Sequence, residues 1–183
     1  MYFYSSEDIL AALMQQENAA QRQVLTRFFK CGKGEYGEGD RFLGLKVPQT
    51  RAIVKMARLR VAPEEIEKLL HSPWHEVRLC GFLLLVEEMK HAIPGKRKDP
   101  TEGAEQRGKI AEFYLRHARK ANNWDLVDLS CPHIIGQWLL YPQADGQLPS
   151  SQILDRLAAS DNLWEQRIAI VSTLALIRAD RFD

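Results

Sequence analysis

Trp124 and Asp128, at the two ends of the segment WDLVD, are the residues in this sequence whose types and spacing best suit chemistry at a cationic centre. Four residues apart on a helix, they share one face. A tryptophan face stabilises nearby positive charge by roughly 0.5–2 kcal/mol. A carboxylate does so through its own charge and can also place a water molecule, as in glycoside hydrolysis. Arg167, in LWEQR, carries a planar fork suited to a bidentate grip on a phosphate. Each residue also has a structural reading. Trp124 could be a core residue at a helix start, and Asp128, like Asp125, a carboxylate favoured by a helix N-terminus. Arg167 could pair with Asp161, Glu165 or Asp128.

Other candidates for chemistry are weaker. Cys31, Cys80 and Cys131 are far apart, form no CxxC pair and fit reduced thiols. His71 and His75 are four apart, but Ser72-Pro73 breaks the helix between them, which argues against a zinc site. His133 reads as a packed histidine. The stretch GKGEYGEGD at 32–40 is rich in glycine, yet it is neither a P-loop nor a dinucleotide fingerprint. Its Glu35, Glu38 and Asp40 would repel phosphate, so it reads as a bracing loop. No metal and no cofactor is expected.

The elements that must position these residues read as helices throughout, with no convincing period-two stretch. Ser5 and Asp8 stand at capping-box-like spacing, and Pro48, Pro63 and Pro73 suit first turns. Later helices are expected at 103–121, 124–141, 150–159 and 162–179. Residues 92–102, AIPGKRKDPTE, are expected to form a loop. Three helix starts resemble one another: HSPWHEVR, ANNWDLVD and SDNLWEQR. Each places a tryptophan (Trp74, Trp124, Trp164) shortly before Arg78, Asp128 or Arg167 and leads into an apolar run. The tryptophans lie 50 and 40 residues apart, and the insertion at 92–102 accounts for the longer interval. A period near 40 with two helices per unit is the mark of HEAT-like repeats. The expected fold is therefore an all-α, α-α superhelix or solenoid forming one domain over residues 1–183. The last helix is strongly apolar, so a C-terminal capping repeat is expected to be lacking.

Composition bounds the rest. The 183 residues are 45% hydrophobic and 27% charged, enough for a core and too apolar for disorder. No apolar run approaches the ~20 residues that span a bilayer, and no leader peptide is visible at the N-terminus. A cytoplasmic protein, monomeric in solution, is expected. Net charge is +1, which does not announce a nucleic-acid partner. Distribution offers more: Arg51, Lys55 and Arg58 fall on one helix face, and Arg116, Arg119 and Lys120 form a second cluster. From charge alone, both read as solvated helix faces.

Four blocks, FFKCGKGEYGEGDRFLGLKVPQTR, LLHSPWHEVRLCGFLLLV, NNWDLVDLSCPHIIG and SDNLWEQRIAIVST, together resemble the bacterial DNA alkylation repair family of the AlkD type. The resemblance implies HEAT-like repeats around duplex DNA that carries N3- or N7-alkylated purines. It implies hydrolysis of the N-glycosidic bond without a pocket for a flipped base. By matching position, it implies that Trp124 packs against the lesion's sugar, Asp128 is the catalytic carboxylate and Arg167 holds the backbone near the lesion. Arg51, Lys55 and Arg78 are then expected as DNA contacts, with Asp128 placed between two basic residues, Arg78 and Arg167. Arg78 has the alternative of an ion pair with Glu76 or a neighbouring helix. The family's further cleft tryptophan falls C-terminal to the WEQR helix, past the end of this sequence. A competing expectation is a catalytically silent scaffold that binds DNA or a protein.

Overall fold

Helices in this chain begin where a small polar side chain or a proline can satisfy the exposed first turn. The Ser5 hydroxyl accepts from the Asp8 amide at 3.2 Å, and the Asn18 side chain accepts from the Gln21 amide at 3.0 Å. A proline stands in the first turn of three further helices, where its missing N–H costs nothing. In the computed structural model, which describes residues 2–181, the chain is all-α: α1 (Ser6–Met14), α2 (Ala19–Phe28), α3 (Val47–Ala57), α4 (Pro63–Leu70), α5 (His75–Ala92), α6 (Ala104–Arg116), α7 (Trp124–Asp128), α8 (Cys131–Leu140), α9 (Gln152–Ala158) and α10 (Leu163–Arg178), with a 3-10 turn at Ala118–Lys120. Among the described residues no helix is long and apolar enough to cross a membrane. The chain divides into two compact units, Met1–Leu84 and Leu85–Asp183, with the division falling inside α5.

In the first unit α1 packs on α3 and α4. Glu65 of α4 ties the joint by accepting from the Ser6 amide at 2.7 Å and from its hydroxyl at 2.6 Å. The loop between α2 and α3 is held by the start of α5. The Glu76 carboxylate accepts the amides of Leu43, Gly44 and Leu45 at 2.8, 2.8 and 3.0 Å. Three buried backbone donors, each costing about 1–3 kcal/mol if left unmet, thus share one side chain. Nearby, the buried Asp40 carboxylate takes His75 Nδ1 at 2.7 Å and Arg78 Nη2 at 2.6 Å. Phe42 stacks on His75 and on Phe29, with ring centroids 4.4 and 5.1 Å apart. Residues 40–45, which follow the glycine-rich stretch, are therefore pinned by charge and by rings. At Gly44 the backbone takes φ +95°, and a Cβ there would sit 2.1 Å from the Asn18 carbonyl oxygen.

In the second unit α10 packs on α7, α8 and α9, and α6 packs on α8. Two helices end earlier than the period suggests. The stretch expected as 103–121 stops at Arg116, and the next residues tighten into the 3-10 turn. The stretch expected as 124–141 breaks between α7 and α8, at Leu129 and Ser130. Ser130 leaves helical geometry at φ −120° and ψ −56°, and Pro132 offers no N–H to continue the ladder. The insertion at 92–102 is a loop, as expected, and is anchored by Arg107. That buried guanidinium donates to the carbonyls of Ala92, Pro100 and Pro142 at 2.9, 3.0 and 2.8 Å, and to that of Glu102.

Gly44→Ala should lower unfolding stability by at least about 2 kcal/mol, from left-handed strain and the overlap with Asn18, as read by denaturant titration. Asp40 adds a pH dependence. Burial pushes its carboxyl up, but the hydrogen bond and charge of His75, then those of Arg78, outweigh it and hold it below the ordinary value. A depressed carboxyl stabilises the fold above the unfolded value and loses that contribution as pH falls through the folded one. Stability measured by urea titration should therefore fall below pH ~4, and Asp40→Asn should be less stable at neutral pH with a flatter acid profile.

Candidate active site

The site is built on the five residues of α7. The Asn123 side chain caps it, accepting from the Trp124 amide at 2.9 Å. Trp124 and Asp128 are its first and last residues, and both are half-buried, each with part of its side chain open to solvent. The helix break behind Asp128 rests on a polar support. The Ser130 hydroxyl donates to the Leu126 carbonyl, and the buried Tyr114 hydroxyl lies 3.0 Å from Ser130 Oγ. Burial pushes the Tyr114 phenol well above its ordinary value, so it serves as a neutral hydrogen-bonding group.

The third residue arrives on α10. A Cβ on Gly136 of α8 would come within 2.6 Å of both the Ala175 Cβ and the Ser172 carbonyl oxygen, so α8 and α10 approach closely at that point. The start of α10 is fixed more than once. Asn162 accepts from the amides of Trp164 and Glu165 at 3.0 and 3.1 Å. Glu165 accepts from Arg119 Nε at 3.1 Å and from the Ser160 hydroxyl, while Gln166 Nε2 donates to the Ser160 carbonyl at 2.7 Å. From this fixed turn Arg167 reaches Asp128. Nε donates to Oδ1 at 2.8 Å and Nη2 to Oδ2 at 2.7 Å, a bidentate pair. The side chains are 39% and 31% exposed. The pair therefore lies between a surface ion pair, worth about 0–1 kcal/mol, and a buried charged hydrogen bond, worth about 1.5–3 kcal/mol.

The structure thus brings Asp128 and Arg167 together, with Trp124 one turn away on the same short helix. Of the three partners open to Arg167 in the sequence, Asp128 is the one it takes with both oxygens, and Arg119 takes Asp161 and Glu165. Arg78 corrects the expectation of a phosphate contact. Its side chain is 7% exposed, bonded to Asp40 and, through Nη1, to the Ser72 carbonyl at 2.9 Å. A guanidinium so enclosed has no face for a phosphate, and its acid is Asp40 rather than Glu76, which is committed to backbone amides. The picture of one acid between two basic residues accordingly reduces to one acid gripped by one arginine. Arg51 and Lys55 stand exposed on α3 in the first unit.

The three tryptophans also part company. The Arg41 guanidinium covers the Trp74 ring at 4.4 Å, which marks that helix start as structural. Asp125 is buried and accepts from the Leu126 amide at 2.9 Å, the helix-start role expected of it. Burial pushes the thiols of Cys80 and Cys131 up to about 12 and that of Cys31 up to about 11, far from nucleophilic thiolates. The sequence gives little warning of Gly136, Ser130 or the Arg119–Glu165 link. Gly136 leaves one signal, a glycine inside an apolar helix, which often marks a close packing contact.

Residues 9–183 match the family described as DNA alkylation repair enzyme. No curated protein and no solved structure matches the chain.

Gly136→Ala should push α10 away from α8 and cost about 1–3 kcal/mol by overpacking, read as a lower denaturation midpoint. The same variant should loosen the Arg167–Asp128 pair, visible as weaker density or altered rotamers at Arg167 in a crystal structure.

Proposed function

We propose that this chain, which belongs to the DNA alkylation repair enzyme family, is an alkylpurine DNA glycosylase that hydrolyses the N-glycosidic bond of N3- or N7-alkylated purines in duplex DNA. The observation that carries the reading is the half-exposed Asp128 carboxylate, held in a fixed orientation one helical turn from a half-exposed tryptophan. A purine alkylated at N3 or N7 already bears positive charge and departs without being protonated. As its bond to C1′ breaks, the electron pair goes to the base and the positive charge moves to the sugar. Asp128 lies across from that charge and stabilises it, and the Trp124 face adds a weaker attraction. Water adds its oxygen to C1′ and gives up a proton, with Asp128 as the acceptor at hand. The products are the free alkylated base and an abasic sugar. The chemistry takes place on the deoxyribose from outside the stack and asks for no pocket around the base. Arg51 and Lys55, exposed on α3, carry charge suited to phosphate contacts, which position a duplex without reading its sequence.

One observation favours a second reading. A net charge of +1 is low for a protein that grips DNA, which suits a silent scaffold with a protein partner.

The experiment is release of 7-methylguanine or 3-methyladenine from alkylated duplex DNA by the purified protein. Asp128→Asn should lower the single-turnover rate by about 10²–10³-fold, the range for losing one preorganised electrostatic group. A wild type that releases neither base, and binds DNA with no dependence on salt, would leave the scaffold reading in its place.

A further inference from the structure

We infer that the buried hydroxyl of Tyr114, acting through Ser130, is a positioning group for Asp128; this rests on the reading of Asp128 as the catalytic carboxylate. Helix α7 ends at Asp128, and the backbone pattern changes just after it. The Ser130 amide donates to the Val127 carbonyl at 3.1 Å, one residue short of its α-helical partner Leu126. The Ser130 hydroxyl takes the Leu126 carbonyl instead. A side chain thus replaces a backbone donor at the helix end. A serine hydroxyl has one hydrogen, so in the 3.0 Å bond between Tyr114 and Ser130 Oγ the phenol is the donor. The result is a directed chain of bonds from Tyr114 through Ser130 to Leu126, and both hydroxyl-bearing residues are fully buried.

The break aims the carboxylate. Asp128 is on α7, while α10, which carries Arg167, packs on α8 beyond the break. The angle at the break therefore decides how the carboxylate meets the guanidinium. A 3-10 step turns by about 120° per residue and an α step by about 100°. Relaxing the break into regular helix would swing α7 and its carboxylate against α10 by about 20° for each residue that changes. Tyr114 is placed to prevent this. It lies on α6, which packs on α8, and two turns before it Arg107 anchors the same helix to the carbonyls of Ala92, Pro100, Glu102 and Pro142. Fully enclosed, the phenol cannot touch a sugar or a phosphate, so any effect it has on the chemistry passes through the break. Catalytic groups backed by a locked second side chain keep the productive geometry that a lone surface rotamer would lose.

The test compares wild type with Tyr114→Phe, Ser130→Ala, Asp128→Asn and the Tyr114→Phe/Asp128→Asn double variant. Gly44→Ala, in the first unit, serves as a control that is destabilised without touching this chain of bonds. Three measurements are made: kcat and KM for base release from alkylated duplex, unfolding by urea, and crystal structures of wild type and Tyr114→Phe. Tyr114→Phe removes one oxygen and keeps the ring, so the fold is retained. It should lower kcat by about tenfold with KM unchanged, the pattern of a slightly misplaced group that acts in the transition state. Ser130→Ala should lower kcat at least as much, while Gly44→Ala keeps the wild-type kcat. The double variant should be no slower than Asp128→Asn alone, because Tyr114 acts through that carboxylate. The inference is overturned if Tyr114→Phe keeps the wild-type kcat, or if it slows Asp128→Asn as much as it slows wild type, the mark of a general structural role. If the wild type releases no base, the proposed function fails on its own account. The positioning inference then stands if the Asp128 carboxylate turns from Arg167 in the Tyr114→Phe crystal, and falls if the pair keeps its wild-type geometry.

Discussion

The contact at Gly136 sets the geometry of the second unit. With no side chain on α8 at that point, the Ala175 methyl and the Ser172 carbonyl of α10 approach the helix backbone directly. The reach of Arg167 to Asp128 depends on this closeness. Arg167 lies two turns before Ala175 on α10, and Asp128 lies just upstream of α8, beyond the break at Ser130. Were the two helices a side chain further apart, the guanidinium would fall short of forming two bonds with the carboxylate. A packing constraint deep in the unit therefore becomes an electrostatic arrangement at its surface.

Three similar helix starts have been put to three uses. At Trp74 the ring lies under Arg41, the following histidine meets Asp40, and Glu76 gathers three loop amides. At Trp164 the following glutamate reaches Arg119 and Ser160, and the arginine reaches out to a neighbouring helix. At Trp124 the following aspartate is spent on its own helix, while the one a turn later stays half-exposed. The repeat supplies a common scaffold for charge. The surrounding loops decide whether that charge braces, links or reacts.

Much of this is legible in the residues themselves. The all-α fold, most helix starts and the shared tryptophan pattern follow from apolar spacing and capping residues, which are local signals. The family follows from four blocks taken together. What stays hidden depends on partners distant in sequence. Nothing around Arg78 announces that Asp40, thirty-eight residues earlier, would enclose it. Arg167 has several acids within plausible reach, and only the packing of α10 on α7 and α8 selects Asp128. The break at Ser130 is masked because the apolar pattern continues across it, while the hydroxyl that supports the turn acts through Leu126 and Tyr114.

Arg107 gives the insertion at 92–102 a character its composition conceals. A polar stretch rich in proline, glycine and lysine looks like the natural place to splice in a tag or make a deletion. Yet one buried cation holds the carbonyls of Ala92, Pro100 and Glu102 together with that of Pro142 in a later connector. The middle of the loop, at 95–98, carries none of those bonds and can vary in length. Its two ends cannot be shortened without uncoupling a surface loop and a distant connector at once, so the tolerance of the segment is set by a residue that lies outside it.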